Sequence, residues 1–183
     1  MPCCVSDKCR NKTIQARGLV PSGISSRNEL AGKENIMNSQ ETVQTLMDSV
    51  QRGDFDNAKT LLSDDFRFKG LVPGWISART WLKMSKSLRL AFTGFKYNFK
   101  VNGADGDIVT STSQLSGNNR GAIDLTGLRM GVISATNRNF STAVENNKIT
   151  VKNGKVSSWV VEPTDGAGLM AILGQLGVKL PAI

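Results

Sequence analysis

The sequence predicts an α+β fold, with a curved antiparallel sheet wrapped around three N-terminal helices and a short C-terminal helix at the end of the chain. Three observations predict it. Apolar residues recur with a helical period of 3.6 up to Gly94 and with a strand period of 2 after it. Two Asn-Gly pairs, Asn102-Gly103 and Asn153-Gly154, are hairpin signals because both residues accept the positive φ of a tight turn. Finally, the strand VSSWVVE runs directly into DGAGLMAILGQLGVKLP, a Gly/Leu/Met segment of helical character.

Each element has a local cause. Asn38 and Glu41 have the spacing of a capping box, followed by Val43, Leu46, Met47 and Val50 on one helical face. Gly53 ends this helix, and Asp54 caps a second in which Phe55, Ala58, Leu61 and Leu62 face inward. Phe66 and Phe68 alternate with Arg67 and Lys69, the pattern of a half-buried strand. After a loop from Leu71 to Trp75, Ser77 caps a third helix with Ala78, Trp81, Leu82, Leu88 and Phe92 on one face. The predicted strands are Phe95 to Val101, Ile108 to Leu115, Arg120 to Leu125, Asn139 to Val151 and Lys155 to Val161.

The chain has 183 residues, room for one domain with a proper core. It is 39% hydrophobic with no run near the roughly 20 apolar residues of a membrane span, so no membrane is expected. The net charge of +8 is spread along the chain, and only Lys83, Lys86 and Arg89 cluster. A solvated helix face explains them and an anion patch is the alternative; a nucleic-acid partner is not expected. Cys3, Cys4 and Cys9 all lie in the N-terminal segment and there is no histidine, so neither a disulfide framework nor a zinc set is expected. Neither metal nor cofactor is predicted, and without histidine no Ser/His or Cys/His pair can be built.

Residues 1–36 lack apolar periodicity and read as a disordered extension preceding a domain from 37 to 183. No apolar core of a secretory signal is present, which points to the cytoplasm, with organelle targeting by residues 1–36 as the alternative. Met37 at the edge of the ordered pattern marks a second candidate start.

The end of the last strand is where such a sheet opens onto a cavity, and it carries Glu162 and Asp165. A carboxylate at an apolar mouth has its pKa raised toward the range useful for acid/base work. The competing readings are a helix N-cap for Asp165 and an exposed strand-end charge for Glu162. Trp75, Tyr97 and Trp159 are candidates for the wall of a pocket for a small apolar or aromatic ligand, with plain core as the alternative. Arg138 is the candidate for binding a carboxylate or enolate, unless it sits outside on the sheet.

Three segments, GDFDNAKTLLSDDFRF, SGNNRGAIDLTGLRMGVISATNRNF and NGKVSSW followed by GLMAILGQLGV, give residues 38 to about 180 a resemblance to a known group. It is the SnoaL-like polyketide cyclase and ester cyclase group of the nuclear transport factor 2-like, ketosteroid isomerase-like superfamily. The resemblance implies a cone-shaped sheet, frequent dimerisation through that sheet, and proton transfer next to a carbonyl. It aligns Gly117 and Gly121 with the glycines of a Gly-Thr-His-x-Gly motif and puts Asn119 at its histidine. Asparagine orients a carbonyl but does not take a proton near neutral pH. Trp159 matches the group's strand tryptophan, and the aspartate expected four residues later is Pro163, flanked by Glu162 and Asp165. The resemblance thus implies a small-molecule cyclase or isomerase using Asp165, Glu162 and Asn119. Its alternative is a homodimeric or ligand-binding module that has lost the catalytic base.

Overall fold

The capping residues do what their spacing predicts. In the computed structural model, which describes residues 37–70 and 74–178, Asn38 and Glu41 close a reciprocal capping box on α1 (Ser39–Arg52). Asp54 accepts from the Asn57 N–H at 3.0 Å to start α2 (Phe55–Thr60), and Ser77 caps α3 (Ala78–Ala91) through Thr80. The expectations for residues 1–36 lie outside the described residues.

Eleven strands are described: β1 (Leu62–Lys69), β2 (Ile76–Ser77), β3 (Phe92–Lys96), β4 (Lys100–Asp105), β5 (Ile108–Ser113), β6 (Ser116–Asn119), β7 (Ile123–Asp124), β8 (Val132–Ile133), β9 (Asn139–Ser141), β10 (Glu145–Lys152) and β11 (Lys155–Val161). A last helix, α4, spans Gly168–Gln175. The main sheet runs β2-β1-β11-β10-β5-β4, with a three-stranded sheet β3-β6-β9 and a small β7-β8 pair. The sheet is mixed rather than wholly antiparallel. β1 lies parallel to β11, with Phe68 opposite Trp159, because the chain returns to β1 only after the whole meander of later strands.

Several expected boundaries move: the predicted strand Asn139 to Val151 is two, β9 and β10, and Arg120 to Leu125 shortens to β7. The predicted strand Phe95 to Val101 is two, because Asn98 takes φ 41° and breaks the ladder between β3 and β4. The turn between β4 and β5 is Gly106-Asp107, with Gly106 at φ 55°, whereas Asn102-Gly103 falls within β4 where the register shifts. Asn153-Gly154 is a hairpin turn as predicted, both residues having positive φ. Asp165 does not cap the last helix: the N-cap is Ala167, which makes no side-chain capping bond.

The core lies between the sheet's inner face and the helices. α1 contributes Val43, Leu46, Met47 and Val50, while α3 contributes Trp81, Met84, Leu88 and Ala91. At its centre Phe68, Trp81 and Trp159 are mutually packed, with ring centroids 5.7 to 6.1 Å apart. Such contacts add about 0.5–1.5 kcal/mol per pair beyond their burial. Beneath α4, Leu169, Ile172, Leu173 and Leu176 are buried and close one end.

Where the chain leaves α3 and passes along β6, Asn119 is fully buried and fully bonded. Its amide donates to the carbonyls of Gly121 at 2.8 Å and Ala91 at 3.3 Å, and its oxygen accepts from the N–H of Thr136 at 2.7 Å and its hydroxyl at 3.0 Å. One side chain thus ties together the end of α3, β6 and the segment before β9. Asn119→Ala leaves these partners without replacement and should cost about 2–3 kcal/mol. In thermal unfolding that is a fall of roughly 5–10 °C in Tm; an unchanged midpoint would remove Asn119 from this structural role.

Candidate functional site

β10 alternates strictly, with Glu145, Asn147, Ile149 and Val151 buried and Asn146 and Lys148 exposed. Ile149 and Val151 enter the core as expected of apolar side chains, and the period of two carries Glu145 and Asn147 onto the same inner face. Here the core is not completely filled. A chamber of about 30 Å³ is lined by Met47, Phe68, Trp81, Ser85, Tyr97, Ser113, Leu115, Glu145, Asn147, Trp159 and Val161. That is space for about two water molecules.

The polar groups around it fall into two kinds. Asn147 is satisfied: it accepts from the Trp159 indole N–H at 3.0 Å and donates to the Ser113 hydroxyl at 3.1 Å. This fixes the orientation of the indole and of Ser113. Glu145 and Tyr97 are different. Glu145 is 6% exposed and forms no ion pair among the described residues. Burial pushes its carboxyl pKa up from 4.5, opposed by the backbone N–H of Gly168, the first residue of α4. The Tyr97 hydroxyl is buried with no hydrogen-bond partner, although Ser85 is its polar neighbour. Burial pushes this phenol up to about 12, so it stays a neutral donor at any physiological pH.

The chamber lies between two surface grooves that share its walls. Glu145 and Val161 also line a groove of about 410 Å³ running past Lys69, Gly70, Val160 to Thr164 and Ala167 to Met170. Met47 and Tyr97 also line a groove of about 320 Å³ beside Gln44, Asp48 and Phe99. The two groups with raised pKa each line both the chamber and one of the grooves. A carboxyl group with a raised pKa and an unpaired phenol around a largely apolar chamber can move a proton at one atom while holding an oxygen at another.

The residues predicted from sequence are only partly brought together. Trp159 and Tyr97 line the chamber. Glu162 lines the outer groove, partly exposed and 3.3 Å from Lys148, and so does not reach the interior. Asp165 is exposed and lines none of the described cavities. Asn119 is held in its structural network and does not face the chamber. Trp75 is 50% exposed, its ring 5.9 Å from the Lys69 ammonium. Arg138 is exposed, its guanidinium lying against Gly177 beyond α4.

Glu145, Asn147, Ser113 and Ser85 were not singled out from the sequence. The signal for the first two was the parity of β10 itself, since counting back by twos from Ile149 puts both inside. The sheet register adds a second relation. Asn147 lies opposite Val161 and the Glu162 N–H bonds to the Asn146 carbonyl. Pro163 is the position at which the resemblance expects an aspartate, and it lines the outer groove together with Glu145 of β10. On its other side Glu145 is paired with Ser113 of β5.

Among the described residues no group of three His, Cys, Asp or Glu could hold a metal, and no helix is long and apolar enough to cross a membrane. Neither a protein-family model nor a curated protein sequence matches the chain. Solved structures do. A protein titled as a polyketide cyclase from Xanthomonas campestris superimposes with a TM-score of 0.58 at 14% identity, covering 75% of this chain and 96% of that one. A protein titled as a SnoaL-like polyketide cyclase from Jannaschia sp. CCS1 gives 0.58 at 18% identity over 77% and 92%. An LEH-like epoxide hydrolase from M. tuberculosis gives 0.51 at 17% over 76% and 92%. At these identities the likeness is one of fold: the chain has the α+β fold seen in these structures and in a protein with a ketosteroid isomerase-like fold from Catenulispora acidiphila.

Proposed function

We propose that this protein is a small-molecule enzyme of the cyclase or isomerase type that transfers a proton next to a carbonyl group. The observation that carries the reading is Glu145, a buried carboxyl group with no cation beside it on the wall of a chamber that also holds an unpaired phenol. In this reading the Glu145 carboxylate removes the proton from the carbon next to the carbonyl, and the Tyr97 O–H donates to the oxygen as it takes up enolate charge. The same proton is then returned to carbon, or the enolate carbon attacks an electrophile within the same molecule to close a ring. Asn147, through Trp159 and Ser113, fixes the walls between which the substrate's reacting end lies. Asp165, Glu162 and Asn119 have no chemical part.

A second reading, a non-catalytic module for a small ligand, draws support from the chamber volume of about 30 Å³, which admits little more than a carbonyl and its neighbouring carbon. The two are separated by following the exchange of 2-butanone's α-protons with D2O by NMR. Catalysed exchange that falls by about 100-fold or more in Glu145→Gln, and persists in Asp165→Asn and Glu162→Gln, is the expected result. Saturable binding of the ketone without exchange would leave the binding module as the function.

Tyr97→Phe distinguishes a recognition group from a structural one. The hydroxyl has no partner to lose, so the change should leave the unfolding midpoint unaltered or slightly raised. Ketone binding, in contrast, should weaken by about tenfold, the value of one hydrogen bond inside an apolar chamber. Equal binding by both proteins would take Tyr97 out of the site.

Glu145 also predicts a pH dependence. Its folded pKa lies above its ordinary value of 4.5, so the folded state binds the proton more tightly. The stability this contributes is complete below that value and is lost as pH rises from it through the raised folded pKa. Glu145→Gln keeps the shape without the titration. Denaturant unfolding from pH 4 upward should therefore show wild type losing stability relative to the variant, and parallel curves would contradict the raised pKa.

A further inference from the structure

The groove outside the Glu145 neck has a chemistry of its own. Its walls are apolar along Val160, Val161, Pro163, Ala167, Leu169 and Met170, and Met170 leaves 53% of its surface in solvent. Two charged side chains line it besides Glu145. Glu162 is already paired with Lys148 at 3.3 Å. Lys69, at the end of β1, has no carboxylate partner among the described residues and rests against the Trp75 ring. The groove therefore offers a buried acid, apolar walls, and one cation on its lining without a carboxylate partner among the described residues.

From this we infer that the groove binds the body of an amphipathic oxo acid, a molecule with a carbonyl head, an apolar spacer and a terminal carboxylate. The head enters the chamber past Glu145 and Val161, the spacer covers the apolar wall including Met170, and the carboxylate meets Lys69. The difference in size between the two spaces, about 30 Å³ within and about 410 Å³ outside, requires this division. Only the head fits inside, so affinity and selectivity must come from the part that stays in the groove. Lys69 is a selectivity residue here, with no part in the proton transfer. The inference rests on the proposed carbonyl chemistry only for the identity of the head.

The test uses the full chain and three ligands of matched length: 7-oxooctanoate, its methyl ester and 2-octanone. The sequence holds three tryptophans, so their indole N–H signals in a heteronuclear NMR spectrum report separately on the two ends of the site. All three ligands should shift the signal of Trp159 in the chamber, and the oxo acid alone should also shift that of Trp75 beside Lys69. The oxo acid should bind about threefold more tightly than the ester, as a partly exposed ion pair allows. That preference should vanish in Lys69→Met and reverse in Lys69→Glu, both of which leave the core untouched. Equal affinity for acid and ester, a preference that survives in Lys69→Met, or no shift of Trp159 by any ligand would overturn the inference. Because these are binding measurements, they stand apart from proton exchange: loss of exchange with the tail preference intact would refute the proposed reaction and leave the groove's selectivity in place.

Discussion

Period-two alternation along β10 determines what this face of the interior contains. Asn153 and Gly154 adopt positive φ in the tight turn, the register shifts between Val151 and Thr150, and beyond that shift Ile149 faces inward opposite Trp159. Every second residue toward the start of β10 must follow it. A slip of one residue would bring Lys148 and Asn146 into the core and turn Ile149 and Val151 out, a loss of several kcal/mol of apolar burial by the usual measure of about 1.5–3 kcal/mol per large aliphatic side chain. The register is therefore held by Ile149, Val151, Val156 and Trp159, and Asn147 and Glu145 enter the interior as its consequence. Asn147 is accommodated because the indole N–H and the Ser113 hydroxyl satisfy it. Glu145 has no such set of side-chain partners, and burial raises its pKa.

Helix α4 completes this arrangement. It begins without a side-chain cap, so its first N–H groups have no acceptor within the helix, and that of Gly168 lowers the pKa of Glu145. The interaction acts on the carboxyl group in opposition to burial, since a helix start favours the anion while an apolar wall favours the neutral acid. Burial is the larger of the two influences. The outcome is a group whose charged and neutral forms are each supported by part of the surrounding structure, and that is the property an acid/base residue needs. The same helix buries Leu169, Ile172 and Leu173. The contact that closes the core and the contact that tunes Glu145 thus belong to one element.

Much of the architecture was legible in the sequence because its signals are local. Asn38, Asp54 and Ser77 cap helices through bonds to residues three positions on, so their meaning is contained in a short stretch of chain. What was not legible depends on distant pairing. The parallel contact of β1 with β11 joins residues about 90 apart in sequence, and no motif marks it. The preference of Gly106-Asp107 over Asn102-Gly103 for the turn reflects the pairing of Val101 with Ser111 and of Asp105 with Ile108, which keeps β4 extended through the Asn-Gly pair. Asn119 was read as a stand-in for a histidine. Its four bonds to Ala91, Gly121 and Thr136 make it a structural peg, and only the three-dimensional path of the chain brings those groups together.

The same distinction separates the acids that follow β11 in sequence from the buried one on β10. The position four residues after Trp159 is Pro163, with Glu162 before it and Asp165 after it. Glu162 alternates outward and pairs with Lys148, while Asp165 lies past the strand's end in solvent. In an antiparallel pair, however, residues directly opposite each other project from the same face only about 5 Å apart. Beyond the last such pair, Asn147 with Val161, Glu145 and Pro163 both line the outer groove. Proline also has no N–H with which to extend that ladder, and the last bond between the strands here is from the Glu162 N–H to the Asn146 carbonyl. Pairing of β10 with β11 stops at this point, and the next bond between the two segments is from the Ala143 N–H to the Gly166 carbonyl. Pro163 therefore lies where the β10–β11 ladder ends, in the wall of the groove that Glu145 also lines.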